Sequence, residues 1–218
     1  MADLAERRRS MVERQLMRRD VRDPRVLAAM AEVPREQFVP PELAEFAYDD
    51  GPLPIGEGQT ISQPYIVALM IQAAEVAPGD RVLEVGSGSG YAAAVIGRIA
   101  THVLGIERHD VLALAARMRL AALGYDNVEI VTGDGTRGCP DRAPFDAIIV
   151  SAGGPSIPHA LQQQLDLKGR LVIPVGEGGS QRLLKITRTD ATHYEEEDLG
   201  GVAFVPLIGE QGWAEARS

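Results

Sequence analysis

A chain of 218 residues with 45% hydrophobic content is long enough to bury its own core, and a formal charge of −9 argues against the clustered Lys and Arg that nucleic-acid binding requires. The single cysteine, Cys139, excludes an internal disulfide, and no His and Cys cluster has structural-zinc spacing. No apolar run approaches the roughly 18 to 20 residues that cross a bilayer, and the charged N-terminus has no apolar signal region, so a cytoplasmic protein without membrane, nucleic-acid or metal partners is expected.

In chain order, a helix is predicted near residues 3 to 18, where Leu4, Met11, Val12 and Leu16 interleave with Arg7, Arg8, Arg9, Arg14, Arg18 and Arg19. That basic block reads as a solvated face or a minor contact surface. A second helix should run from about Pro24 to Ala31 behind the cap Asp23, and a short one should follow Pro40-Pro41. Between Tyr48 and Pro64 the density of Gly and Pro predicts a long loop, which a compact domain seldom keeps without a function. A helix from about Gln63 to Ala74 comes next, with Ser62 as its natural N-cap and Pro64 tolerated in the first turn.

From Arg81 onward strand-like runs alternate with helical stretches, at Val82 to Val85, Val103 to Ile106, Val128 to Val131 and Ala147 to Val150. This is the pattern of βαβ units in a parallel sheet. After Leu171 to Val175, strands at Arg182 to Thr187, His193 to Asp198 and Val202 to Pro206 follow without helices, so that edge should be antiparallel. The expected fold is therefore α/β: a Rossmann-like, doubly wound, mostly parallel sheet with an antiparallel C-terminal edge, in one domain. Its parts are a helical extension (1–47), a substrate loop (48–64) and a cofactor-binding core (65–218).

The stretch VLEVGSGSGY, Val82 to Tyr91, joins a buried strand through a glycine turn to a helix, where backbone can approach a ligand and unpaired N–H groups point outward. A dinucleotide fingerprint needs a glycine where Tyr91 stands, and no Gly-Lys-Ser/Thr follows for a phosphate loop. What remains, Glu84, Gly86, Ser87, Gly88, Ser89 and Gly90, is E-x-G-x-G-x-G and resembles the first motif of class I S-adenosylmethionine-dependent methyltransferases. Ligands in such sheets bind at the carboxyl ends of strands, which brings in two further places. Glu107, about twenty residues on, either accepts from ribose hydroxyls or stabilises the next helix start. Asp134, with Gly135, either accepts from an adenine amino group or forms a plain surface turn.

The loop text PLPIGEGQTISQPY, Pro52 to Tyr65, closely resembles the segment before the glycine motif in protein-L-isoaspartate O-methyltransferases. Similarity extends through FVPPELAEFAYDD, GDGTRGCPDRAPFDAIIVSAG, GRLVIPVG and VAFVPLIGEQGW, nearly the whole chain. Departures from the family pattern fall at Ser87, Cys139, Gly153, Gly154 and Ile208. The resemblance implies S-adenosylmethionine as cofactor and the free α-carboxylate of isoaspartyl residues in damaged proteins as acceptor, with a monomeric enzyme. It makes Ser62 the active-site serine with Thr60 beside it, and assigns peptide contacts to Ile55, Gly56, Val205 and Pro206.

That chemistry agrees with the loop's composition. A carboxylate of pKa about 4 is already ionised at neutral pH and needs no general base. A cation clamped on it would favour the ground state over a transition state in which carboxylate and sulfonium charges cancel. Between Gly51 and Tyr65 there is no Lys or Arg, only the hydroxyls of Thr60 and Ser62. The scattered histidines, His102, His109, His159 and His193, suggest no catalytic set. Asp/Asn-Pro-Pro-Tyr is absent and Cys139-Pro140 stands in reverse order to the Pro-Cys of cytosine methyltransferases, which argues against a DNA methyltransferase. A non-catalytic module that binds the cofactor is the alternative from a different class.

Overall fold

The structure is a computed structural model that describes residues 3–177 and 180–215. Its centre is a seven-stranded sheet of β3 (Arg81–Val85), β4 (His102–Glu107), β5 (Val128–Thr132), β6 (Phe145–Val150), β7 (Leu165–Glu177), β8 (Ser180–Arg188) and β9 (Tyr194–Val202), ordered β5-β4-β3-β6-β7-β8-β9. The first five in that order pair in parallel, and β8 and β9 close the edge antiparallel, as the helix-free C-terminal pattern predicts. The chain starts in the middle at β3, winds outward to β5, then returns to lay β6 on the other side of β3. That reversal opens a crevice at the carboxyl ends of β3 and β6.

Both faces of the central strands are buried because helices cover both. Successive residues alternate between two apolar layers: Val82, Val103, Ala147 and Ile149 face one, and Leu83, Val85, Leu104, Ile148 and Val150 face the other. The first layer is completed by α2 (Pro24–Glu32), α3 (Pro64–Ala73), α4 (Tyr91–Gly97) and α5 (Asp110–Ala122), and the second by Leu161 of α6 (His159–Gln163) and by Leu207. Glu195, Glu196, Glu197 and Asp198 line the free edge strand, where repelling charge discourages pairing with another chain.

The N-terminal extension departs from one long helix. Helix α1 (Leu4–Met11), capped by the Asp3 carboxylate, passes into a π turn at Val12–Leu16. The wider turn keeps Met11, Val12 and Leu16 buried together, at the expense of regular hydrogen bonding. Asp23 caps α2 as expected, accepting from Arg25 N with Pro24 in the first turn. Short 3-10 turns at Arg35–Phe38 and Pro41–Phe46 carry the chain onward.

Three sequence-based expectations are corrected. The segment from Tyr48 to Pro64 is not irregular throughout: β1 (Leu53–Gly56) and β2 (Gln59–Ile61) form a hairpin across Glu57-Gly58, both with positive φ (51° and 67°). Ser62 is not the N-cap of α3. Pro64 occupies the first turn and holds the preceding residue extended, so Gln63 takes the cap position with ψ 136° and no side-chain cap bond. Finally, β9 spans Tyr194–Val202 as one strand, and Val202 to Pro206 forms no further strand. There the chain leaves the sheet, and Gly153 bridges Pro206 in its place.

Glycine is required where the loop after β5 packs on β3. A Cβ at Gly135 would lie 2.4 Å from Cγ1 of buried, β-branched Val85, whose χ1 is stiff. Gly135→Ala should therefore lower stability by roughly 1–3 kcal/mol, measured by urea denaturation, and an unchanged midpoint would mean that β3 yields freely there.

Candidate active site

The crevice between β3 and β6 contains the glycine turn. Gly86, Gly88 and Gly90 all have positive φ (83°, 51° and 85°), and Gly86 N donates to Ile106 O at 2.8 Å. Such a path brings main chain to the crevice without the strain an L side chain would add. Opposite it, Ser151 N donates to Val85 O at 2.8 Å, which fixes the end of β6 against β3.

Three adjoining clefts of about 480, 520 and 990 Å³ meet here. The first is lined by Glu84, Gly86, Ser87, Gly88, Ser89 and Tyr91, with Met70 and Ile71 from α3. Gly86, Gly88, Glu107, Gly135, Val205 and Pro206 help to line the second. The third opens between Pro52, Gln63 and Ile66 on one side and Gly201 to Val205 on the other. Thr60 and Ser151 border all three, and Ser62 borders the first and third. Neither the first nor the third has a Lys or Arg in its wall.

Most residues singled out from the sequence meet at this junction, but not all. Ile55 packs on the outer side of the glycine turn, where its Cδ1 lies 3.0 Å from the position a Cβ would take at Gly88. Gly56 is exposed at the hairpin turn, so neither belongs to the walls of the third cleft. Ser151, Gln63 and Phe204 were missed. For Ser151 a signal existed, since it ends a predicted strand as Glu107 does. Phe204 carries no such signal: Gln181, on another strand, exchanges hydrogen bonds with its backbone N and O at 2.7 and 3.1 Å and holds that wall in place.

The acidic residues differ sharply in how they are satisfied. Glu107, 4% exposed, accepts from Gly88 N at 2.8 Å and from His109 N at 2.9 Å, so each oxygen keeps a free lone pair. Asp134 Oδ1 accepts from the N and Oγ1 of Thr136, and Oδ2 from Glu210 N at 2.8 Å. These bonds hold its carboxyl below the usual range despite partial burial. One lone pair on Oδ2 remains, beside the cleft that Gly209 and Trp213 help to close. Glu84 stands apart: it is 1% exposed, and neither oxygen has a hydrogen-bond partner among the described residues. Burial raises its pKa from 4.5 to about 7; the nearby Ser87 hydroxyl opposes this without reaching bonding geometry, and the Glu107 charge adds to it.

Residues 6–212 match the family model for protein-L-isoaspartate (D-aspartate) O-methyltransferase (PCMT). The chain belongs to that family. It is 60% identical over 213 residues to a Methylorubrum extorquens protein-L-isoaspartate O-methyltransferase, covering 98% of this chain and 93% of that one. Against the enzyme of the same name from Protochlamydia amoebophila it is 53% identical, covering 95% and 100%. Among solved structures, a protein-L-isoaspartate O-methyltransferase superposes with TM-score 0.84 at 28% identity, over 95% of this chain and 67% of that one.

An unpaired carboxyl held in the protein at a raised pKa has a measurable signature. Its protonated form is favoured on folding, so the stabilisation is fully present below about pH 4.5 and is lost as pH rises through about 7. On the order of 3 kcal/mol is involved. Glu84→Gln should therefore raise the melting temperature of the ligand-free protein at pH 8 and change it little at pH 5. A variant no more stable than wild type at pH 8 would show that Glu84 is paired in solution.

Proposed function

We propose that the junction of the three clefts is where a methyl group passes to an isoaspartyl carboxylate, and that Thr60 and Ser62 orient that carboxylate. The family's reaction moves a methyl group from S-adenosylmethionine to the free α-carboxylate of L-isoaspartyl residues in damaged proteins. The resulting ester closes to a succinimide more readily than the carboxylate does, and hydrolysis returns part of the product to normal aspartate. The observation that supports the residue assignment is that three hydroxyl-bearing residues, Thr60, Ser62 and Ser151, line clefts whose walls are free of Lys and Arg and adjoin the glycine turn.

The residues present fit the cofactor. The unpartnered Glu84 carboxylate suits an ammonium group, the free lone pairs on Glu107 suit a ribose, and that on Asp134 suits an adenine amino group. Gly86, Ser87, Gly88, Ser89 and Gly135 line the clefts around it, whereas Gly90 turns toward Ala116 and Leu120 of α5. When bound, S-adenosylmethionine supplies a methyl group on a positively charged sulfur. The protein's task is then positioning, which can be worth on the order of 7 to 11 kcal/mol in favourable cases. Neutral hydroxyl donors hold the carboxylate without quenching its negative charge, as a guanidinium would. Val205 N–H has no backbone partner among the described residues and stands at the third cleft, so an extended peptide can be bound there through its main chain.

The same reading takes the protein to be one functional unit and a monomer of the cytoplasm, with residues 1–47 as support, 48–64 as the acceptor side and 65–218 as the cofactor side. Among the described residues no helix is long and apolar enough to cross a membrane.

A labelled-methyl assay with matched isoaspartyl and aspartyl peptides tests the activity: transfer to the isoaspartyl peptide alone is expected, and tight cofactor binding with transfer to neither would favour a non-catalytic module. Ser62→Ala should slow transfer at saturating cofactor while calorimetry finds cofactor affinity nearly unchanged; the reverse result would move Ser62 out of the acceptor side. For Glu107→Ala a loss of about 1.5–3 kcal/mol in cofactor affinity is expected, the worth of hydrogen bonds to a charged group. An unaltered dissociation constant would remove Glu107 from the cofactor site.

A further inference from the structure

Gln63 stands at the acceptor cleft with its side-chain amide held in one orientation by groups outside that cleft. Its Nε2 donates to Asp50 Oδ1 at 2.7 Å and to Asp50 O at 3.3 Å. Both are acceptors only, so the amide cannot be flipped: the NH2 must face Asp50 and Oε1 must face away. Oε1 accepts no hydrogen bond among the described residues and is not among the buried unpartnered atoms, so it is open to a ligand. Gln63 also takes the N-cap position of α3 without capping it, which leaves that oxygen free of the helix.

Asp50 is itself held. Arg19 of the N-terminal extension forms an ion pair with it and lies over the Tyr65 ring, 4.5 Å from its centroid. Tyr65 Oη donates to Asp20 Oδ1 at 2.6 Å, which ties the same extension to α3. A chain of contacts therefore runs from Arg19 through Asp50 to Gln63, whose carbonyl oxygen is left unpaired among the described residues and which lines the same cleft as Thr60 and Ser62.

On the reading that the acceptor is an isoaspartyl peptide, we infer that Gln63 Oε1 accepts the N–H of the isoaspartyl residue itself and so measures how far the reacting carboxylate lies from that nitrogen. In an isoaspartyl residue the free carboxylate and the N–H sit on the same carbon. In ordinary aspartate a methylene separates the carboxylate from that carbon. Hydroxyl donors on the carboxylate and one fixed acceptor for the N–H thus fit the first spacing, and an aspartyl residue leaves one of the two partners unmet. A buried or half-buried polar group left without its partner is the kind of mismatch that yields strong discrimination. Gln63 is the contact in this scheme, and Asp50 and Arg19 are positioning residues that act through it.

The test compares three acceptors: an isoaspartyl peptide, its aspartyl counterpart, and the isoaspartyl depsipeptide in which that N–H is replaced by an ester oxygen. Wild type should lose roughly five- to tenfold in kcat/KM on the depsipeptide, the worth of one hydrogen bond. Gln63→Leu should treat peptide and depsipeptide within about twofold of each other, with the loss on the peptide falling mainly in KM. Asp50→Ala should reduce the same discrimination while keeping kcat at saturating peptide, which a merely structural role would not do. Gln63→Asn, too short to reach, gives the same readout if the leucine variant does not fold. Equal use of peptide and depsipeptide by wild type, or full discrimination retained in both Gln63 variants, overturns the inference. Transfer by wild type to neither the isoaspartyl nor the aspartyl peptide overturns the underlying reading instead.

Discussion

Glu84 is a carboxylate on a strand face that otherwise belongs to the apolar core, and among the described residues no group pairs with it. In the sheet it stands between Gly105 and Ile149, with Met70, Ile71 and Tyr91 around the same cleft. An isolated buried charge is costly, and the group responds by holding its proton to near neutrality. The neighbouring chain is organised around keeping that space. Gly105 has no side chain because the Ser87 hydroxyl lies 2.3 Å from where its Cβ would be, and the glycine turn passes above with three positive φ angles. A fold selected for stability alone would place a leucine at residue 84. On the proposed assignment a cationic ligand offsets the penalty, and the energy withheld from folding becomes binding energy for that group.

From that point the charges separate by side. Toward the sheet, the crevice is bordered by Glu84 and Glu107, and Asp134 lines the neighbouring cleft with Gly209 and Trp213. Toward the hairpin, the walls are neutral, with hydroxyls, Gln63 and backbone. A carboxylate nucleophile and a sulfonium electrophile attract each other, and a strong charge from the protein on either reacting atom would weaken that attraction. In the proposed arrangement the reacting oxygen lies beside the first and third clefts, whose walls carry no Lys or Arg. In that arrangement the acids are proposed to serve groups remote from the transferred methyl.

Legibility in the sequence followed how local the determining forces are. The parallel strands were readable because burial on both faces makes each a short continuous apolar run, as in Val82 to Val85, and the glycine turn because positive φ selects its residues. Acids at strand ends were readable from one topological rule, which Ser151 also satisfied without being singled out. The hairpin at Leu53–Ile61 was hidden because its proline and two glycines read as loop, although Glu57-Gly58 is a tight two-residue turn. Ser62 looked like an N-cap because Ser is a favoured cap residue, and Pro64 overruled it by one position. Gln181 and Phe204, 23 residues apart, meet only through tertiary packing, and no local pattern announces such a pair.

The N-terminal extension can be understood in the same physical terms. Arg35 is wholly buried and has no carboxylate partner among the described residues; its Nε donates to Ala47 O at 2.7 Å, and its guanidinium lies 4.9 Å from the ring centroid of Tyr91. Tyr91 follows the glycine turn directly, and Ala47 precedes the acceptor segment directly. Gln15 Nε2 adds a bond to Tyr48 O at 2.8 Å, and Arg7 pairs with Asp49 at 3.2 Å. Every one of these contacts grips Ala47, Tyr48, Asp49 or the first residue of α4, which are the places where the acceptor segment and the glycine turn join the rigid body. A buried cation facing an aromatic ring and one carbonyl is a weakly compensated arrangement, and here it ties Ala47 to the first residue of α4. The extension thus fixes where the segment from Tyr48 to Pro64 stands relative to the glycine turn.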